Sequence, residues 1–385
     1  MDLDQIPTPP KRLPVDAEAA FEAKERNIEF IQAAEEVISA GDALMAKNHD
    51  SGPKQKEFHT SGHPRTLKYR AEVTAQIFEL SNRRMLLSKI IINYHDTIIN
   101  FNPAAEYDPT KPETMVSMIM RHRGAREGDK PNGENGNEAL SAKAMVEEMR
   151  KKLDQDGNPI FTEEEIATAV LAVDATYPDV ELGKDFQGAE FKKDPYYAEL
   201  TKKNPDLGKF IDSLEERGIT KGIKFTQPHL ENLLENGKCV PEEVLAMAMS
   251  DLGGCGIMRP EEFFEEGNSE FRELYSNIRK HLAMLTTDKS KDKERAIAVK
   301  AMQGWMNSQA RFATWQMIRF EKIVYLLREN GQIKEEDEKD LRDYFSQYTS
   351  NINASLDRVE RVNKILGEER DEMMGFVYMA EQMGY

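Results

Sequence analysis

Residues 302–327 read MQGWMNSQARFATWQMIRFEKIVYLL. Within them Met302, Trp305, Met306, Phe312, Phe320, Ile323, Val324 and Leu327 fall on one face of a long helix. Asn330-Gly331 breaks the pattern. Beyond the break, Leu341, Phe345, Tyr348, Ile352, Val359, Val362 and Leu366 follow in alternating steps of three and four, interrupted only at Ser355. That is a heptad-like seam, and Gly367 can end it. The connection is short, which predicts helices over about 290–329 and 335–366 packed antiparallel.

The same period runs back through the chain. Residues 1–15 are Pro-rich and polar, an arm. Asp16 can cap a helix running to about Ala40, with Phe21, Ile28, Ile31 and Ile38 as its apolar stripe and Gly41 at its end. Residues 42–57 are polar and contain Ser51-Gly52-Pro53, a loop signal. From His63 to about Phe101 the pattern is helical, in two helices broken near Ser81-Asn82, and residues 85–94 are apolar enough to be buried on most sides. Residues 100–136 carry four prolines and a Gly/Asn-rich run, a long insertion. Asn137 starts a helix to about Leu153, and Asp156-Gly157-Asn158-Pro159 is a turn. Thr162 and Glu165 form a capping box for a helix over 163–173. Residues 175–240 read as a second insertion of short helices, and Pro241 suits the first turn of a helix ending at Leu252. No segment shows sustained two-residue alternation, and no Gly-rich phosphate loop is present. The expected fold is all-α. Its expected parts are an N-terminal arm and helix (1–55), a core (56–285) with insertions at 100–136 and 175–240, and a C-terminal helical hairpin (286–385).

Composition narrows the function. The chain has 385 residues and a formal charge of −17, with 39% hydrophobic and 31% charged residues, an ordinary globular balance. The acidic excess argues against broad nucleic-acid or anionic-membrane binding. No apolar run approaches a membrane span, and the N-terminus lacks a secretory pattern. The two cysteines, Cys239 and Cys255, fit a reducing compartment, so a cytoplasmic location is expected.

Five of the seven histidines lie between residues 49 and 122: His49, His59, His63, His95 and His122. His95-Asp96 closes the most apolar helix. Burying such a pair is costly without a partner or a metal, although a helix-end Asp turned to water explains it too. His59 and His63 are spaced to share a helical face; a polar helix start before Pro64 is the alternative. Asp251 interrupts an apolar run just before Gly253-Gly254. A helix C-terminus is a poor place for an anion, and either a bound cation or exposure at a frayed end would relieve it. Glu138 sits where a helix dipole favours a carboxylate. Arg121, Arg123 and Arg126 form a basic stretch, suited to phosphate or simply solvated.

Taken in order, His63, His95-Asp96 and Asp251 resemble the pattern of the HD-domain superfamily of metal-dependent phosphohydrolases: a His, an adjacent His-Asp, then a distant Asp. The nearer likeness is to a bacterial branch of predicted HD-superfamily hydrolases. It is carried by Phe58-His59-Thr60-Ser61-Gly62-His63, Tyr94-His95-Asp96-Thr97-Ile98-Ile99, Asn137-Glu138-Ala139-Leu140-Ser141-Ala142, Ser250-Asp251-Leu252-Gly253, and the helix from Phe271 to Arg279. It covers roughly residues 56–282. Two departures stand out. Asp174 occupies the place where that branch commonly has a His, and Thr97-Ile98-Ile99-Asn100 replaces the Glu-Asp pair of the (p)ppGpp hydrolases.

The resemblance implies an all-α metal-dependent phosphohydrolase cleaving a phosphomonoester or phosphodiester, nucleotides included, by a metal-activated water. His63, His95, Asp96 and Asp251 would bind a divalent ion. Mixed N/O ligation suits Mn, Fe, Co, Ni or Zn, with Mg a further candidate. Asp96 would also serve as base and Glu138 would assist it. Arg121, Arg123, Arg126 and Arg279 would contact substrate, and His59, Asn137 and Asp174 would lie around the ligands. The alternative is a catalytically silent HD-like scaffold that binds metal or nucleotide and meets a partner protein, or a second copy of itself, through the C-terminal helices.

Overall fold

The computed structural model describes residues 19–50, 62–98, 137–176, 180–181, 192, 195–220, 224–225, 229–369 and 371–385. The arm, the Asp16 cap, the 51–57 loop signal and the insertion at 100–136 lie outside them. The described residues are almost wholly helical: α1 (Ala19–Met45), α2 (Gly62–Ile77), α3 (Asn82–Tyr94), α4 (Asn137–Arg150), α5 (Glu163–Asp174), α6 (Pro195–Lys203), α7 (Pro205–Glu216), α8 (His229–Glu235), α9 (Glu242–Leu252), α10 (Pro260–Leu274), α11 (Ser276–Thr287), α12 (Asp292–Glu329), α13 (Glu335–Tyr344), α14 (Tyr348–Glu368) and α15 (Glu372–Gln382). The fold is all-α. The described residues also include a pair of two-residue strands, β1 (Val180–Glu181) and β2 (Lys224–Phe225), antiparallel with Val180 opposite Phe225.

Two helices form the axis of the first core. In α3, Ile90, Ile91, Ile92, Asn93 and Tyr94 are all buried, and in α9 every residue from Glu243 to Ser250 is. Such all-round burial needs neighbours on every side: α3 packs against α1, α2, α4, α5 and α9, and α9 against α2, α3 and α5. The starts of α3 and α9 are tied together, because Arg84 Nε and Nη2 donate to Glu243 at 2.5 and 2.6 Å and Arg84 also pairs with Glu242. With their first turns linked, the two helices run in the same direction and end at the same level. The Thr162–Glu165 capping box is present at the start of α5, and the turn at 156–159 is made by Asp154, which accepts from the Asp156 and Asn158 amides.

Several expectations are corrected. α1 does not stop near Ala40 but continues to Met45, with Gly41 inside it. A side chain at 41 would meet Asn93 O at 3.0 Å and the Tyr94 ring, so Gly41 serves close packing on α3. The buried face of α1 is Phe30, Ala33, Ala34 and Val37, while Ile28 is 56% exposed. Phe30 sets that phase, with its ring edge-on to Phe161 and the Arg83 guanidinium 3.7 Å from its centroid. The helix before His95 ends at Tyr94 instead of near Phe101. Pro241 is the residue before α9 and not in its first turn, with ψ at 135°. The expected helix through Phe271 and Arg279 is two helices, broken at Tyr275.

The C-terminal hairpin forms as expected, with α12 packed along α14. Gly331 adopts φ 66°, the left-handed close that a glycine supplies at a helix end. The return arm is not one helix, since it breaks around Phe345 between α13 and α14. The break turns the start of α14 onto the 3-10 turn Gly254–Gly256 that follows α9. There Asn351 Nδ2 donates to Cys255 O (2.6 Å) and Met258 O (2.8 Å), and the Gln347 amide donates to Gly256 O. The glycines permit this contact: a Cβ on Gly256 would lie 2.5 Å from the Tyr348 ring. Phe312, expected on the buried face of the long helix, is 40% exposed.

The apolar interior forms two clusters. The first joins α1, α3, α5 and α9 to the second half of α12 and to α14, across residue 285. The second joins Phe271, Ile278, Met302 and Trp305 to Phe376 and Met379 of α15 and to Met383 just beyond it.

Candidate metal and phosphoester site

Because α3 and α9 end together, the residues after their last turns meet. His95 leaves the helix with an extended backbone (φ −55°, ψ 130°), and Asp96 follows in the left-handed conformation at φ 58°. Non-glycine residues adopt that region at a cost and keep it where the surroundings hold them. The turn folds the Asp96 carboxylate back, so that Oδ2 lies 2.9 Å from His95 Nε2. Asp251, in the last turn of α9, places Oδ1 3.3 Å from the same nitrogen. The His95 side chain is 6% exposed and those of Asp96 and Asp251 are 13% and 14%.

The other face of the imidazole meets α5. Thr176 Oγ1 donates to Val173 O at 2.7 Å, which leaves a lone pair toward His95 Nδ1 at 3.3 Å. Nδ1 is then the protonated nitrogen, and Nε2 faces two carboxylates. A bare lone pair there would be repelled by both oxygens, so the arrangement requires a positive species at Nε2, a proton or a cation. Burial opposes charge on the ring, but Asp96 and Asp251 outweigh it and hold His95 well above the usual imidazole range. Asp251 also feels Arg70, a buried guanidinium that forks onto Glu266 through Nη1 (3.3 Å) and Nη2 (2.6 Å). The C-terminal ends of α3, α5 and α9 all point here, and each adds partial negative charge. The site therefore concentrates negative potential around one imidazole nitrogen.

Three further elements frame it. Thr74 Oγ1 of α2 bonds Ser250 Oγ beside Asp251 (3.0 Å). Ser141 of α4 accepts from the Ile98 amide at 3.1 Å, which brings the start of α4, with buried Asn137 and half-buried Glu138, next to the Asp96 turn. Asn48 and His49, at the end of α1, bond the Asp96 and Thr97 carbonyls.

Of the expected residues, His95, Asp96 and Asp251 come together. His63 lies in the first turn of α2, and its side chain is outside the described residues, as are His59, Arg121, Arg123 and Arg126. Asp174 is exposed at the end of α5, and it is Thr176, two residues on, that meets His95. Arg279 is exposed on α11, whose Ile278 and Leu285 belong to the second cluster. Among the described residues no group of three or more His, Cys, Asp or Glu side chains is assembled as a metal site; Asp96 and Asp251 each lie within ion-pair distance of His95 Nε2.

The donor chemistry of the cluster nevertheless suits a divalent cation, with one imidazole nitrogen, two carboxylates and Thr176 Oγ1 on the Nδ1 side of the ring. Comparison of the chain with family models, with curated proteins and with solved structures gives no match in any of the three. Among the described residues no helix is long and apolar enough to cross a membrane.

Proposed function

We propose that the chain is a metal-dependent phosphohydrolase of the HD type, acting on a phosphomonoester or phosphodiester, with nucleotides among the candidate substrates. The observation that supports this most is the pair of carboxylates, Asp96 and Asp251, on His95 Nε2. A site that must hold a positive species there can exchange a proton for a metal ion. His63, His95, Asp96 and Asp251 would hold the ion. When bound, a divalent ion acidifies a coordinated water and neutralises charge on a phosphoryl oxygen.

The rest of the reaction falls to the chain. Asp96 accepts the proton of the attacking water. Glu138, from the start of α4, orients that water, with Asn137 beside it. Thr176 keeps His95 Nδ1 protonated and its ring in place. Arg121, Arg123 and Arg126 follow the site in sequence and would grip the phosphate; Arg279 is a candidate for the same role only if substrate reaches α11. The reading sets the protein in a reducing, cytoplasmic compartment, in keeping with the free thiols of Cys239 and Cys255.

The test is direct. Purified protein, stripped with chelator, is assayed with and without Mn²⁺ on p-nitrophenyl phosphate, bis(p-nitrophenyl) phosphate and a set of nucleotides, beside Asp96→Asn. Metal-stimulated release of product that Asp96→Asn abolishes supports the proposal. Hydrolysis that survives Asp96→Asn moves the chemistry elsewhere, and a protein that binds Mn²⁺ or a nucleotide but hydrolyses none of these contradicts the proposal in favour of the silent scaffold.

A further inference from the structure

The last turns of α1 widen into a π-turn over Ala46–Asp50, an irregularity that recurs at functional sites. It delivers two side chains to the turn that carries Asp96. His49 is 1% exposed, and its Nε2 lies 3.0 Å from Asp96 O and 3.0 Å from Thr97 O. Both partners are carbonyls, so Nε2 carries a proton and divides it between them. Asn48 Nδ2 donates to Thr97 O at 2.8 Å. The Thr97 hydroxyl and amide in turn close back on Tyr94 O, at 2.9 and 3.2 Å.

These bonds converge on the one left-handed residue of the site. Asp96 at φ 58° reaches His95 Nε2 only because the chain reverses at that point. A reversal against its intrinsic preference persists where neighbours fix its carbonyl and that of the residue after it. We propose that His49 is a positioning residue: from a helix distant in sequence it clamps the Asp96 and Thr97 carbonyls and thereby holds the Asp96 carboxylate on His95 Nε2. The consequence for catalysis rests on the hydrolase reading above; the clamp itself does not.

The experiment uses the full chain, labelled with ¹⁵N-histidine, in four forms: wild type, His49→Gln, His49→Phe and Asn48→Ala. Gln keeps an N–H donor of similar reach, Phe fills the space without one, and Asn48→Ala removes the neighbouring donor. Three quantities are read: the thermal midpoint, the His95 side-chain ¹H–¹⁵N resonances without metal, and Mn²⁺ affinity by electron paramagnetic resonance. The clamp predicts that His49→Phe shifts the His95 resonances and lowers Mn²⁺ affinity by about 10-fold or more, the usual scale for an outer-shell partner. His49→Gln should keep both near wild type, and Asn48→Ala should shift His95 in the same direction by less. If His49→Phe does not fold, Asn48→Ala and His49→Gln decide the matter. A folded His49→Phe with wild-type His95 resonances and Mn²⁺ affinity overturns the proposal, as does an Asn48→Ala protein whose His95 resonances do not move. A wild type that binds no Mn²⁺ yet shows this pattern of His95 shifts sinks the hydrolase reading and leaves the clamp standing.

Discussion

His95 Nε2 and Asp251 Oδ1 lie 3.3 Å apart, joining the ends of α3 and α9, while Arg84 and Glu243 join their beginnings at 2.5 Å. Two parallel buried helices are thus pinned at both ends, and the pin at the C-terminal end is the candidate site. The geometry of the site is consequently a property of the core: the same packing that buries Ile90–Ile92 and Val244–Met249 sets where the imidazole and the carboxylates meet.

The Thr176 contact gives the first prediction. Thr176→Val keeps the shape and removes the oxygen that accepts from His95 Nδ1. Loss of such an outer partner should lower Mn²⁺ affinity by about 10–100-fold, at a stability cost of roughly 1–2 kcal/mol for the lost buried hydrogen bond. Thr176→Ser should stay close to wild type in both. Calorimetric Mn²⁺ titration beside urea unfolding separates the two effects. Equal Mn²⁺ affinity in Thr176→Val and wild type would count against the assignment of Thr176.

The hairpin gives the second. Asn351 is fully buried and holds two carbonyls, Cys255 O and Met258 O, in the turn after Asp251. Asn351→Leu removes the donor to both, which should destabilise the chain by about 2–6 kcal/mol, since each orphaned group costs roughly 1–3 kcal/mol. The urea midpoint should fall at constant slope. A midpoint within error of wild type would show that the hairpin does not brace the Asp251 turn.

How much of this was legible beforehand depends on the kind of signal. The all-α class and the hairpin were, because helical apolar spacing persists over 302–327 and 341–366 and Asn330-Gly331 punctuates it. His95, Asp96 and Asp251 were singled out only by the order of the pattern they resemble, because a helix-end carboxylate turned to water explains each alone; that their side chains meet follows from how α3 and α9 pack. The phase of α1 was not: isoleucines at 28, 31 and 38 outweigh alanines on a hydropathy reading, yet close approach to α3 selects the small face of Ala33, Ala34 and Gly41. Thr176 was missed because a threonine after a helix is commonplace. His49 was noticed only as one of a group, because its partners are main-chain carbonyls and neither the π-turn nor the left-handed Asp96 leaves a spacing pattern. The breaks at Tyr275 and Phe345 escaped for a related reason, since each lies within an otherwise unbroken helical period.

The third prediction concerns pH. Glu165 joins the α5 cap to α3 through Arg83, with Nε–Oε1 at 2.5 Å and Nη2–Oε2 at 2.9 Å. Partial burial pushes its carboxyl up, but the bonds from Arg83 and the Thr162 amide prevail and hold it below the ordinary value of 4.5. A depressed carboxyl adds stability that is fully present above its unfolded pKa and is lost as pH falls through the folded one. The stability difference between wild type and Glu165→Gln should therefore be constant near neutral pH and shrink below about pH 4.5. A difference that persists unchanged at acid pH would assign the effect of Glu165→Gln to packing instead.

Crystals grown with Mn²⁺ and measured for anomalous scattering at the manganese edge test whether His63, His95, Asp96 and Asp251 share one cation, as proposed. The account predicts a single strong anomalous peak bonded to His95 Nε2, to oxygens of Asp96 and Asp251, and to the His63 imidazole, absent from crystals of His95→Ala. Well-ordered crystals in which no peak lies at His95, or in which His63 is held away from it by more than a side chain's length, would contradict it.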